Sequence, residues 1–435
     1  MPGRLSGAAS GWALAVLLAA TQLLAFSDRF LLTLVATPLK RAFSLNDAEL
    51  GLLQGSAFAI PYALALPFVG VLADRGRQRG LLLAGVVLWS GATLACGLAG
   101  GFAALLAARA VLGLGQAVVG PAALSVMAMR LDRARLGRSV SLLTAGATLG
   151  RSFALLLGGA ALAWLGARGD LALPGLAPLA PWQALFVLAV LPNLVLAVLL
   201  LRVPPSPVRA AARSDAALAW LLRRRSAYLP HAGGAVGAVL MSQTLTAWAP
   251  TFYVRAFGLS AAESGLRLGL LVLVAAPLGH VAGGAVLDRL RRQGREAAAP
   301  LLLGLGLCLA VPATALTGLA PGLDLSSAGF ALLVALLGFT GPPGLAGIQV
   351  LTPRRLRGRV SALFLAATTL IGIGTGPFLV GLLNDRVFGE AGVGRALVAV
   401  FAVAGTLGAL AAVQAWRRWP SRAPKRNRPP RGAAG

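Results

Sequence analysis

Apolar residues run in long stretches along this chain, interrupted by short gaps rich in arginine, proline and glycine. They show neither the two-residue alternation of a half-buried strand nor the one-sided stripe of a soluble helix. A bilayer core takes about 20 apolar residues of helix, and lipid offers backbone amides no partner outside the helix itself. Cutting the sequence at its polar gaps predicts twelve such helices, at 12–35, 48–73, 81–100, 102–126, 139–165, 183–201, 231–254, 263–287, 300–320, 328–350, 360–383 and 395–416. The first apolar run, from Trp12, is longer than the core of a signal peptide and is expected to stay as a helix. The widest polar gap carries Pro204, Pro205, Pro207 and the arginines 223 to 225. It divides the chain into a six-helix bundle over 1–201, a linker over 202–230, a second bundle over 231–416 and a basic tail over 417–435.

An internal repeat supports this division. The twelve residues Arg41 to Leu52 match Arg255 to Leu266 at eight positions, with a constant offset of 214. The same offset carries Gly55 to Gly269, Gly70 to Gly284, Asp74 to Asp288, Arg75 to Arg289 and Arg77 to Arg291. Each copy spans an even number of helices, so the two halves are expected to be parallel repeats, an arrangement in which halves rock about a central site.

Composition changes the picture in one direction only. The chain is 57% apolar and 12% charged, against roughly 25% charged for a soluble domain. Its net charge of +26 is spread through the gaps and not along one folded face, which argues against nucleic acid. Of the 39 Lys and Arg, 29 fall at the N-terminus, in the even-numbered gaps and in the tail, while 6 fall in the odd-numbered gaps. The positive-inside rule then predicts both termini in the cytoplasm and the chain in a bacterial inner membrane, its tail against anionic lipid heads. Cys96 and Cys308 lie inside apolar runs and suggest no disulfide. The sequence has no phosphate-binding Gly-Lys loop and no Cys/His cluster, so neither an enzyme nor a metal or cofactor is expected.

The candidate chemistry is the little polarity placed inside the helices. At 1.5 Å per residue, Asp28 on the first helix and Arg109 on the fourth both lie about 10 Å below the same membrane face, where they are expected to meet. A charge at that depth costs about 2.5 to 3.5 kcal/mol, so a partner or a wet cavity is required. Gln116 shares the face of Arg109. Arg151 sits near the middle of the fifth helix. Arg29, Arg109 and Arg151 against Asp28 leave the first half with an excess of buried positive charge, which suits a carboxylate or phosphate. Gln22, Gln243, Thr244 and His280 complete the expected lining, and Glu263 with Arg267 reads as a helix-surface ion pair.

The loop Gly70-Val-Leu-Ala-Asp74-Arg75-Gly76-Arg77, with its echo at Gly284, Asp288, Arg289 and Arg291, resembles the gating motif of the major facilitator superfamily. Physically, the glycine permits close helix approach, and the acid can hold an arginine or a helix N-terminus in one state. Residues Phe26-Ser-Asp28-Arg29-Phe30, Pro38-Leu-Lys40-Arg41, Leu50-Gly-Leu-Leu-Gln54 and Tyr62-Ala-Leu64 resemble the bacterial spinster-like branch. Animal relatives of that branch export lysophospholipids and phosphorylated sphingoid lipids. In that branch an acid on helix 1 works with an arginine and a glutamate on helix 4. This chain has Asp28 and Arg109 but reads Gln116 at the glutamate position.

The resemblance implies an all-α membrane protein of the major facilitator type, with twelve helices in two bundles, acting as a monomeric secondary transporter by alternating access. The expected cargo is an organic or amphiphilic anion, such as a lysolipid, coupled to protons through Asp28. A small sugar or aromatic acid is the alternative cargo, and an uncoupled sensor or lipid scramblase the alternative class.

Overall fold

The computed structural model describes residues 8–131, 133–172, 177–203, 215–353 and 356–419. The first half contains α1 (Ala8–Leu34), α2 (Asp47–Ala73), α3 (Gln78–Gly97), α4 (Phe102–Arg130), α5 (Arg133–Gly166) and α6 (Pro181–Leu200). The second contains α7 (Arg225–Phe257), α8 (Ala261–Arg292), α9 (Ala298–Gly318), α10 (Leu323–Leu351), α11 (Arg359–Phe388) and α12 (Glu390–Arg417). Short helices at Ala36–Phe43 and Asp215–Arg223 lie in the connections before α2 and α7. Eleven of the long helices are apolar enough to cross a bilayer by length and composition alone, and α7 is the exception. Its sequence explains why: His231, Ser242, Gln243, Thr244, Thr246 and Thr251 all lie in its span, and it spends its polarity on the interior. The helix also starts earlier than the hydropathy suggests, at Arg225, with Pro230 inside its first turns. Linker residues 204–214 and the tail beyond 419 lie outside the described residues.

Within the first half α1 packs on α5, and α3 packs on α4 and α6; within the second, α10 packs on α8 and α9, and α12 on α7 and α9. The halves meet along two seams, α2 with α11 and α5 with α8. Both seams are built from the internal repeat. Asn46 and its repeat partner Ser260 each close a capping box, on Glu49 and Glu263, that starts α2 and α8. A Cβ on Gly51 would overlap the Pro377 carbonyl, and one on Gly55 would come within 2.7 Å of Ile373 O. At the repeated positions, a Cβ on Gly265 would lie 2.7 Å from Leu155 O and one on Gly269 2.7 Å from Leu156 N. Backbone meets backbone here because the glycines have no side chain to hold the helices apart. Pro377 sharpens this in α11, since it offers no N–H to the Ile373 carbonyl, and the preceding turn at Thr369–Ile373 opens to a π-helical one.

Both seams lie toward the end of the bundle away from the chain termini. At the terminal end the gating motif stands differently from what its glycines suggest. Gly70 and Gly284 have no neighbouring atom within 4 Å of an added Cβ, so neither supports a close helix contact in this conformation. Arg75, Arg77, Asp288, Arg289 and Arg291 are exposed; the side chain of Asp74 lies outside the described residues. The halves are therefore closed at one end and apart at the other. The same close packing holds each half together: Gly150 of α5 faces the Leu23 carbonyl and Phe26 of α1. Gly150→Val is expected to lower stability by about 1 to 3 kcal/mol through overpacking, read as a lower thermal midpoint in detergent. Gly91→Ala, where nothing lies within 4 Å, should leave the midpoint unchanged.

Candidate functional site: a cavity between the halves

On the terminal side of the seams lies a cavity of about 230 Å³. Its walls are mostly apolar, with Ala235, Val239, Val272, Leu337, Leu345 and Phe364 among them. Arg151 of α5 is the one fully charged residue among those that line it. Its Nη1 donates to Ser242 Oγ of α7 at 3.3 Å, a contact that crosses from one half to the other. Its Nε is buried without a partner. Around it stand neutral groups that can donate or accept: Thr148, Gln243, Thr246, Thr340 and Thr368. The Gln243 Oε1 atom is likewise buried and unpartnered. His280 Nδ1 donates to the Ala276 carbonyl at 2.8 Å, which leaves Nε2 as an acceptor beside Gly341.

Asp28 lies elsewhere. It is 3% exposed and faces away from the cavity, toward α3 and α6, where its Oδ2 accepts from Thr93 Oγ1 at 3.1 Å and Asn193 Nδ2 at 2.6 Å. The expected meeting with Arg109 does not occur. The two lie at one level of the bundle, since Arg109 reaches the carbonyl of Arg29, but the helical direction differs, and a residue's face is decided by packing. Arg109 donates instead to the backbone carbonyls of Leu53 at 3.0 Å and Arg29 at 3.1 Å. Arg29 lies over the Phe58 ring at 4.0 Å and the Phe26 ring at 4.5 Å, and its Nε donates to Gln116 Oε1 at 3.3 Å. Gln116 Nε2 in turn donates to the Ala25 carbonyl at 2.7 Å. A neutral amide both accepts and donates here, which a carboxylate could not do. Two of the three buried arginines are thus satisfied by carbonyls, an amide and aromatic faces inside the first half, and only Arg151 is left to the cavity.

Of the other expected lining residues, Gln243 and His280 are in the cavity wall. Gln22 is half-buried with Oε1 unpartnered, outside that wall. Thr244 is fully buried against Gly376 of α11. Arg267 pairs with Asp324 at 3.1 Å and with Ser327, not with Glu263, which is occupied by the capping box. Sequence reading missed Thr93, Asn193 and Ser242. Asn193 carried a signal, since it is an amide standing alone in the apolar run of α6.

Two bundles of six helices, related by a repeat and enclosing a cavity between them, are the architecture of a membrane transporter. The chain belongs to the major facilitator superfamily, whose family model matches residues 18–373. It is 29% identical to an MFS-type efflux pump of Mycolicibacterium smegmatis, over 93% of this chain and 92% of that protein. It is 26% identical to protein spinster homolog 1 of Homo sapiens, over 84% of this chain and 71% of that one. Among solved structures it superposes with a TM-score of 0.82 on a bacterial homolog of the human lysosomal transporter Spinster, in an inward-facing and unoccupied conformation. That match has 24% identity and covers 95% of this chain and 100% of the other. The spinster-like resemblance of helices 1, 2 and 4 thus extends along most of the chain.

The Arg29–Gln116 contact generates a check of its own. Gln116→Leu strands a buried guanidinium nitrogen of Arg29, at a cost of about 1 to 3 kcal/mol, and should lower the thermal midpoint of the purified protein.

Proposed function

We propose that the chain is a secondary transporter of an organic or amphiphilic anion in the bacterial inner membrane, with both termini in the cytoplasm and the cavity facing inward. One observation carries this reading: Arg151 is a cation with an unpartnered nitrogen in a largely apolar chamber, and no carboxylate lines that chamber with it. A charge so placed in a membrane protein calls for a counter-ion. A carboxylate or phosphate on the cargo supplies it, while the apolar walls take the hydrocarbon part. The Thr, Ser and Gln groups around Arg151 would hold the remaining oxygens. Arg151 reaches Ser242 across the halves, so an anion bound there would touch both bundles, which is what a cargo must do to bias their movement.

The spinster and efflux-pump relatives favour an exchangeable organic cargo, and the lysolipid reading rests on the amphiphilic lining. The sealed seams on the far side and the separated gating motif favour an inward-open conformation. The proton is assigned to Asp28, a buried carboxyl held by two neutral donors and without an ion pair. Since Asp28 does not line the cavity, this coupling would act through the packing of α1 against α3 and α6, not by contact with cargo.

Lysophospholipids and small organic acids presented to proteoliposomes separate the cargo classes. Arg151→Ala is expected to weaken binding of any anionic ligand that stabilises the wild type at least tenfold, with Arg151→Lys intermediate; undiminished affinity removes the proposal. Asp28→Asn is expected to leave binding intact while uptake no longer responds to an imposed pH gradient. An unaltered response would remove Asp28 from coupling.

A further inference from the structure

The two seams are alike in their glycines and unlike in their charges. At the outer end of the α2–α11 seam, the carboxylate of Asp385, in the last turn of α11, accepts the backbone N–H of Asp47 at 3.0 Å and of Ala48 at 2.7 Å. It therefore caps the N-terminus of a helix belonging to the other half, where the exposed amides and the helix dipole favour a negative charge. The side chain of Asp47, fully buried, is gripped in return by the second half. Arg255 at the end of α7 makes a two-toothed pair with it, at 2.6 and 2.8 Å, and Asn384 donates to it at 3.2 Å. Lys40 of the first half bridges Asp47 at 2.7 Å and Glu390 of the second at 2.5 Å. At the α5–α8 seam the repeat places Ala261 where α2 has Asp47, and there glycines pack against Leu34, Leu155 and Leu156.

We propose that Asp385 and Asp47 are positioning residues for transport: they form the ionic clasp that holds the outer end shut, and their release from each other's half sets how often that end opens. The proposal rests on the alternating-access reading above. The geometry favours a clasp over ordinary surface pairing for three reasons. Apart from Lys40–Asp47, its bonds run between the halves and not within one. Its central carboxylate is buried, so it cannot exchange its partners for water without the halves parting. Its acid and its helix N-terminus come from antiparallel helices, so that sliding or tilting α2 against α11 breaks both contacts at once. The π-helical turn at Asn384–Phe388 directs Asn384 and Asp385 together toward the start of α2, so the irregular end of α11 belongs to the clasp.

The test needs no cargo. Spin labels at Ala42→Cys and Ala256→Cys, exposed repeat-related positions on either side of the clasp, report the separation of the halves by pulsed dipolar spectroscopy in a Cys308→Ser background; Cys96 is buried and stays. Asp385→Ala is expected to raise the long-distance fraction at least threefold over the parent, Asp385→Asn less so because it keeps one acceptor, and Asp385→Glu to restore the parent distribution. Asp47→Asn should act in the same direction. Asp385 is exposed, so these variants should fold, and an unchanged thermal midpoint verifies it. An unchanged distribution in folded Asp385→Ala overturns the proposal. So does an equal shift with Glu263→Ala, which removes a cap that lies wholly within one half. A single short distance in every variant and condition overturns alternating access itself, whereas two populations indifferent to Asp385 overturn the clasp alone.

Discussion

Lipid supplies no hydrogen bonds, and every polar group of this chain that enters the bilayer has to find its partner in the chain or in a cavity. That constraint dictates the helices, since only a helix satisfies its own backbone. It also orders the side chains. Arg109 takes two backbone carbonyls, Arg29 takes an amide and two aromatic faces, and Asp28 takes Thr93 and Asn193. In the cavity wall, Arg151 and Gln243 each keep a buried atom without a partner among the described residues.

Alternating access, if the halves work that way, also needs motion between closely packed bundles. Glycine serves both ends of that requirement. At Gly51, Gly55, Gly265 and Gly269 the backbones of facing helices touch, giving a seal with few side chains to disentangle. Such a contact is lost almost at once when helices part, because dispersion falls away within about an ångström of separation. Gly70 and Gly284 have no such neighbour within 4 Å.

The separation of Asp28 from the cavity matters for how such a protein works. A carboxyl within the first bundle and an arginine facing the second act on different surfaces of that bundle, joined through α1 and its contacts with α5. Any influence of one on the other would have to pass through the packing of α1 on α5 and not through direct competition for a charge.

Much of this was legible in the amino-acid order alone. The bilayer selects for apolar length, so the helices can be read from the polar gaps without a fold. The repeat at offset 214 marked the glycines and caps that became the seams. Depth along a helix is also a matter of counting, so Asp28 and Arg109 were placed correctly at one level. Their directions were not, because a rotation of about 100° per residue makes the facing of a side chain depend on which helices pack around it. Only the tertiary structure decided that Asp28 turns to Asn193, that Arg151 alone of three arginines meets the cavity, and that Asp47, Arg255 and Asp385, far apart in sequence, converge on one clasp. Composition and periodicity report what a segment needs; which neighbour supplies it is settled only when the helices are packed.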